Sequence, residues 1–273
     1  MAQVYEAYRD AVRDVWGGWW LAWPLSQRVA VGDVLRSLDG SVRSAGTLQE
    51  RRVEVRLTAP GAPGEFTYDA GGAAELRFKA AGSADAAFSS VAVGDAGALV
   101  RFGRSAGTLI AYRGLTQTGL TDVGELAAAL LRLYWKGDWD DGMLAVTDVV
   151  HAESSTVLVA SEAGATAELR LSATAGTGPL RLADLAGGAA LTRGENLGLR
   201  WLADDVTPFY RLVRIRRKWL GGVRAEFGPP QPGRGFTDLP VPPVLLEEAQ
   251  DDPDVLLEPV PPGEQPPPTG ECS

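Results

Sequence analysis

The chain has 273 residues, 45% of them apolar, and a formal net charge of −9, enough material to bury one large core. Nine acidic residues against one Arg lie between Pro229 and Ser273, so that segment carries −8 and residues 1–228 only −1. This balance argues against a nucleic-acid partner, because nucleic-acid-binding domains are strongly basic, and the single Cys272 excludes an intramolecular disulfide framework.

Met1–Asp10 has no charged-then-apolar leader, which predicts a cytoplasmic protein. Residues 3–20 set Val4, Tyr5, Tyr8, Val12, Val15, Trp16, Trp19 and Trp20 at spacings of three and four, the pattern of an amphipathic helix. Its tryptophans, with Trp23, have two readings, a core face or a membrane-interface belt. Val15–Leu25, the longest apolar run, has Pro24 inside it and falls well short of the roughly 20 residues of a spanning helix.

Arg28–Leu35 predicts a short strand ending near Gly32-Asp33. Arg51–Arg113 is almost wholly β in pattern, with alternation in RRVEVRL and AELRFKA and further runs FSSVAV, GALVRFGR and TLIAYRG. Thr121 is the expected N-cap of a helix whose stripe runs from Val123 to Tyr134 and stops before Gly137. Met143–Ala173 follows as three β-rich runs, expected as an antiparallel meander. A helical turn at Leu180–Leu185 and a strand through GENLGLRWLA lead to YRLVRIRRKWL, expected to be extended. Helix, sheet, helix, sheet predicts an α+β fold with a mainly antiparallel sheet. Thirteen of 18 prolines fall at 229–273, marking an extended, mostly disordered tail with two apolar pieces, Val241–Leu246 and Val255–Val260, able to dock. The expected organisation is a body at 1–228 and a tail at 229–273.

Catalytic chemistry has no parts here. His151 stands alone on an apolar run and Cys272 is remote from it, so neither a Cys-His nor a Ser-His-Asp arrangement is available. Asp138, Asp140, Asp141 and Gly142 miss calcium-loop spacing, and the glycines at 176–179 and 187–188 lack a phosphate-loop context. The expectation is a non-enzyme with no metal and no cofactor. The informative feature is the basic strip Arg211–Lys218, with Arg214, Arg216, Arg217 and Lys218 as candidate contacts to anionic lipid and Trp16, Trp19 and Trp20 beside them. Two other readings stand alongside it: edge cations that deter aggregation, and a strip covered by the acidic tail of the same chain.

Three segments carry a family resemblance: SQRVAVGDVL, MLAVTDVVHAESSTVLVAS and GAALTRGENLGLRWLADDV, in that order after an amphipathic helix. Together they resemble the gasdermin family of pore-forming proteins, its short bacterial members in particular. The resemblance implies a twisted antiparallel sheet held inactive by a short C-terminal segment. It further implies release by an activating protease, then a homo-oligomeric β-barrel pore in the plasma membrane that kills the cell during phage infection. Residues 1–50 contain no Cys, so the N-terminal acylation of such members does not carry over. Candidate cut sites are Arg224 and Arg234 for a trypsin-like protease and Asp251, Asp252 and Asp254 for a caspase-like one. The alternative is a β-sheet binding or scaffold protein with a recruitment tail.

Overall fold

The computed structural model describes residues 2–38, 41–70, 72–172, 180–227 and 240–264. In chain order the elements are α1 (Ala2–Trp16), β1 (Trp20–Leu21), β2 (Asp33–Leu38), β3 (Ser41–Thr47), β4 (Gly64–Asp69), β5 (Ala74–Lys79), β6 (Gly97–Phe102) and β7 (Thr108–Gly119). They continue with α2 (Val123–Lys136), β8 (Met143–Ala160), β9 (Thr166–Arg170), a 3-10 turn at Leu182–Ala186, β10 (Ala190–Glu195), β11 (Leu197–Ile215) and α3 (Arg217–Phe227). The tail supplies α4 (Pro243–Asp251), α5 (Pro253–Leu256), β12 (Leu257–Pro259) and a last 3-10 turn, Pro262–Glu264. The fold is α+β with antiparallel pairing throughout.

Two long strands, β8 of 18 residues and β11 of 19, run side by side and form the spine of the larger sheet. On its other side β8 pairs first with β2 and then with β7, which in turn carries β4. β8 runs unbroken from Met143 to Ala160 and is buried on both faces along most of its length, its polar residues Thr147, Ser154, Ser155 and Thr156 included. The expected meander over Met143–Ala173 is therefore not formed. Polar residues inside the strand find partners and do not turn the chain: Ser155 Oγ donates across the sheet to Ala203 O at 3.0 Å and Thr156 Oγ1 to Leu185 O in the 3-10 turn at 2.7 Å. β9, past the turn at Ser161–Gly164, joins a second sheet of order β10-β9-β6-β5.

Other boundaries move for local reasons. α1 ends at Trp16, before Gly17-Gly18, and leaves Trp19 to the turn and Trp20 to β1. Arg51–Leu57 is irregular, with a single isolated bridge at Leu57–Leu120, and FSSVAV is a loop. The N-cap of α2 is Asp122, not Thr121, its carboxylate accepting from Glu125 N at 2.9 Å, while Gly137 closes the helix at φ 80° as expected. The basic strip is a strand only to Ile215, with Arg217 and Lys218 opening α3.

The core lies in two layers about the spine. α1 covers one face, where Tyr8 Oη and Tyr112 Oη meet at 2.7 Å in full burial, and burial raises both phenols above their ordinary pKa. α2 and α3 pack elsewhere on the larger sheet, with Leu126, Leu130, Leu131, Trp135 and Leu220 in one cluster. That cluster also takes in Ala249, Leu256 and Leu257 from the tail. The expectation of a mostly disordered tail does not hold for residues 240–264, which are helical or paired for most of their length.

Candidate functional site

The tail returns to the strand that carries the cations. β12 lies antiparallel against the end of β11, with Val213 opposite Pro259, Arg214 opposite Glu258 and Ile215 opposite Leu257. On the same edge of β11, β1 pairs with Phe209 and Tyr210, so β12 extends the row that β1 begins. An edge strand with open N–H and C=O groups is thereby covered.

Charge fixes the register. Arg214 Nε donates to Glu258 Oε1 at 2.6 Å, with the two side chains only 13% and 25% exposed. A charge-assisted bond this sheltered is stronger than an exposed pair. Arg216 donates through its backbone N–H to Leu256 O at 2.7 Å and through Nη2 to Asp254 O at 2.5 Å. Leu256, Leu257 and Val260 are buried, contributing roughly 5–9 kcal/mol before the entropy of ordering the segment is subtracted. Upstream, Val241, Leu245 and Leu246 pack on the α2–α3 cluster, and α4 comes so near α2 that a Cβ on Gly124 would sit 2.5 Å from Gln250 O. Both apolar pieces singled out in the sequence are thus docked.

The other candidate lipid contacts divide. Arg217 and Lys218 are exposed at the start of α3. The tryptophans belong to the core side: Trp16 is half-buried and stacked on Phe209 at 4.6 Å, Trp19 is buried with Arg211 over its ring at 4.2 Å, and Trp20 is buried with Nε1 donating to Val260 O at 2.8 Å. Trp20 therefore holds the tail directly. Of the candidate cut sites, Asp251, Asp252 and Asp254 are exposed between α4 and α5 or within them. Arg224 sits in α3 with Nε on Tyr134 Oη at 3.1 Å and Nη2 on Asp141 at 3.3 Å, so a cut there requires the helix end to unwind. Arg234 lies outside the described residues.

A second polar cluster sits on the smaller sheet. Its strands alternate cleanly: Leu76, Phe78, Ala98, Val100, Ala167 and Leu169 share the face turned to the core. On the opposite face Glu168 is buried, and its carboxylate accepts from the N–H and Oγ of both Ser89 and Ser90 at 2.6–3.2 Å. Burial alone would raise this carboxyl, but the four donors outweigh it and hold the pKa at about 2. Buried Lys79 grips the same loop, its Nζ donating to Val91 O, Ala92 O and Asp95 O. The loop between β5 and β6 is strapped onto the sheet at both points.

His151 is half-buried on β8. It meets Asp205 at 2.7 Å, and Arg28 reaches the same carboxylate at 2.7 Å, the two partners drawing the Asp205 pKa down. Asp205 holds φ 57° in β11, beside a register shift. Among the described residues no three His, Cys, Asp or Glu side chains are grouped to hold a metal, and no helix is long and apolar enough to cross a membrane. Glu258 was legible as the acid inside the aliphatic run LLEPV, whereas nothing in the alternation of β9 separates buried Glu168 from a solvated charge. No protein-family model and no curated protein matches the chain.

Proposed function

We propose that the chain is an autoinhibited pore-forming protein whose C-terminal segment locks the sheet closed until a protease cuts it away. The observation that carries this reading is the seating of residues 254–260 on β11, where an acidic-aliphatic strand neutralises Arg214 and covers an edge at once. A cut upstream converts that intramolecular contact into a bimolecular one, and dilution then removes the segment. The loss bares the β11 edge, the apolar cluster under Leu256 and Leu257, and the cations Arg214 and Arg216 beside Arg217 and Lys218. Such a surface suits anionic lipid and self-assembly.

The smaller sheet supplies the spanning material in this reading. β5–β6 and β9–β10 are paired strands with one apolar and one polar face, the alternation a barrel needs for lipid outside and water inside. At 5 or 6 residues each they are shorter than the about 9–11 residues of a crossing strand, so residues of the strapped loop after β5 must come free and join them. The chain is a monomer before the cut and a homo-oligomer in the plasma membrane after it, with the protease and anionic lipid as its partners, no cofactor and no enzymatic step.

The test is a full-length protein carrying an inserted site for a highly specific protease after Gly233. On anionic vesicles the uncut protein should leave entrapped dye in place and the cut protein should release it. A cut protein that stays monomeric and leaks nothing overturns the proposal in favour of a sheet-based binding or scaffold protein.

A further inference from the structure

The edge of β11 that receives the tail has the features of a peptide-recognition site. Three residue pairs set the register, and Val260 N–H to Leu212 O at 2.9 Å with Arg216 N–H to Leu256 O at 2.7 Å extends the backbone ladder beyond them. Each end is gripped by a side chain of the body, Trp20 Nε1 on Val260 O and Arg216 Nη2 on Asp254 O. Between the grips the segment buries Leu256, Leu257 and Val260 and sets Glu258 on Arg214. Backbone pairing supplies affinity in strand addition, and side-chain pockets supply selectivity. The groups that hydrogen-bond the segment come from Trp20 and from residues 212–216, and its aliphatic side chains fill the α2–α3 cluster and the cluster around Trp20, so the receiving surface belongs to the body and recognition does not depend on the ligand being part of the same chain.

We propose that this edge is a peptide-binding groove for an extended acidic-aliphatic segment of the form Leu-Leu-Glu-x-Val, and that its occupant in trans is residues 254–260 of a second copy of this chain. The other edges of the larger sheet are poorer occupants: β3 offers Arg43 and no acid and would set cation against cation at Arg214, and β4 sets Glu65 and Asp69 around Phe66 and Tyr68, without the adjacent aliphatic pair that the groove buries. In cis the segment is present at high effective concentration, so exchange with another copy follows displacement or cutting. The use of such exchange to re-close cut molecules rests on the function proposed above, but the groove itself does not.

The experiment is fluorescence anisotropy with a labelled peptide of residues 252–261 and the full-length chain. In the receiving chain Leu257→Asp and Val260→Asp weaken its own segment and open the groove. Peptide should bind this chain at least about tenfold more tightly than the unaltered one, and adding Arg214→Glu should cost at least about tenfold. A peptide with Glu258→Arg should recover that loss on the Arg214→Glu chain. Equal binding to the open and unaltered chains, or indifference to Arg214→Glu, overturns the groove. Hydrogen exchange on the unaltered chain covers the case in which the opened variant does not fold: saturating peptide should speed exchange at Val260, and unchanged exchange there also overturns it. Dye release is not a readout here, so failure of the groove leaves the effect of cutting the tail standing, and the converse holds.

Discussion

Glu168 is the most consequential single side chain outside the tail contact, because one carboxylate satisfies four donors on a loop that has no strand of its own. Its pKa is about 2 in the folded chain against an ordinary 4.5, so it favours the folded state by up to about 3 kcal/mol wherever it is ionised in both states. The sign follows from the depression: the contribution is whole above pH 4.5, declines as pH falls from there towards 2, and is gone below. Glu168→Gln should lose about 1.5–3 kcal/mol at pH 7 and show a flatter acid limb in urea titrations between pH 5 and 3. Equal acid sensitivity of both proteins would place the strap's strength elsewhere, at Lys79.

At the scale of elements, α4 and the α3 start make separable claims. Gly124→Val puts branched carbons where Gln250 O stands, so α4 must back away from α2. Faster proteolysis within 243–251, with β8 and β11 still protected from exchange, is the expected outcome, and an unchanged digest would mean that α4 shifts at no cost. Changing Arg214, Arg216, Arg217 and Lys218 together to Gln should weaken binding of the cut protein to anionic vesicles by a few kcal/mol at most, and added salt should mimic the change. The sequence made some of this visible and hid the rest for physical reasons. Helix α2 was legible because stripe and αL Gly137 agree, and AELRFK because its alternation matches a one-sided sheet. Met143–Ala173 reads in sequence as three runs, not as one long strand and a separate short one, because Ser154, Ser155 and Thr156 look like turn residues until β11 and the Leu182–Ala186 turn supply their partners. The end of the strand at Ile215 is hidden in the sequence because nothing in RIRRKWL separates strand from helix by period alone.

For the whole molecule the balance is between a closed sheet and what the tail withholds. Two chain ends meet at Trp20 and Val260, and a cavity of about 310 Å³ lies between α1 and Pro262–Gly263. Expression of residues 1–234 should arrest growth where the full chain does not, and a harmless truncated product would count against the closed-sheet reading as directly as a silent vesicle assay. Leu256, Leu257 and Val260 are also the last part of the lock to be translated, after β11 and α3 have been made. At about 5–20 residues per second a ribosome takes roughly 2–7 s to pass from α3 to Val260. On the function proposed above, every newborn copy passes through an interval in which the body is synthesised and its guard is not, and neighbouring nascent chains on one messenger bring several such bodies close together. A slow stretch of codons over 228–256 should lengthen the interval and raise toxicity without altering a single amino acid.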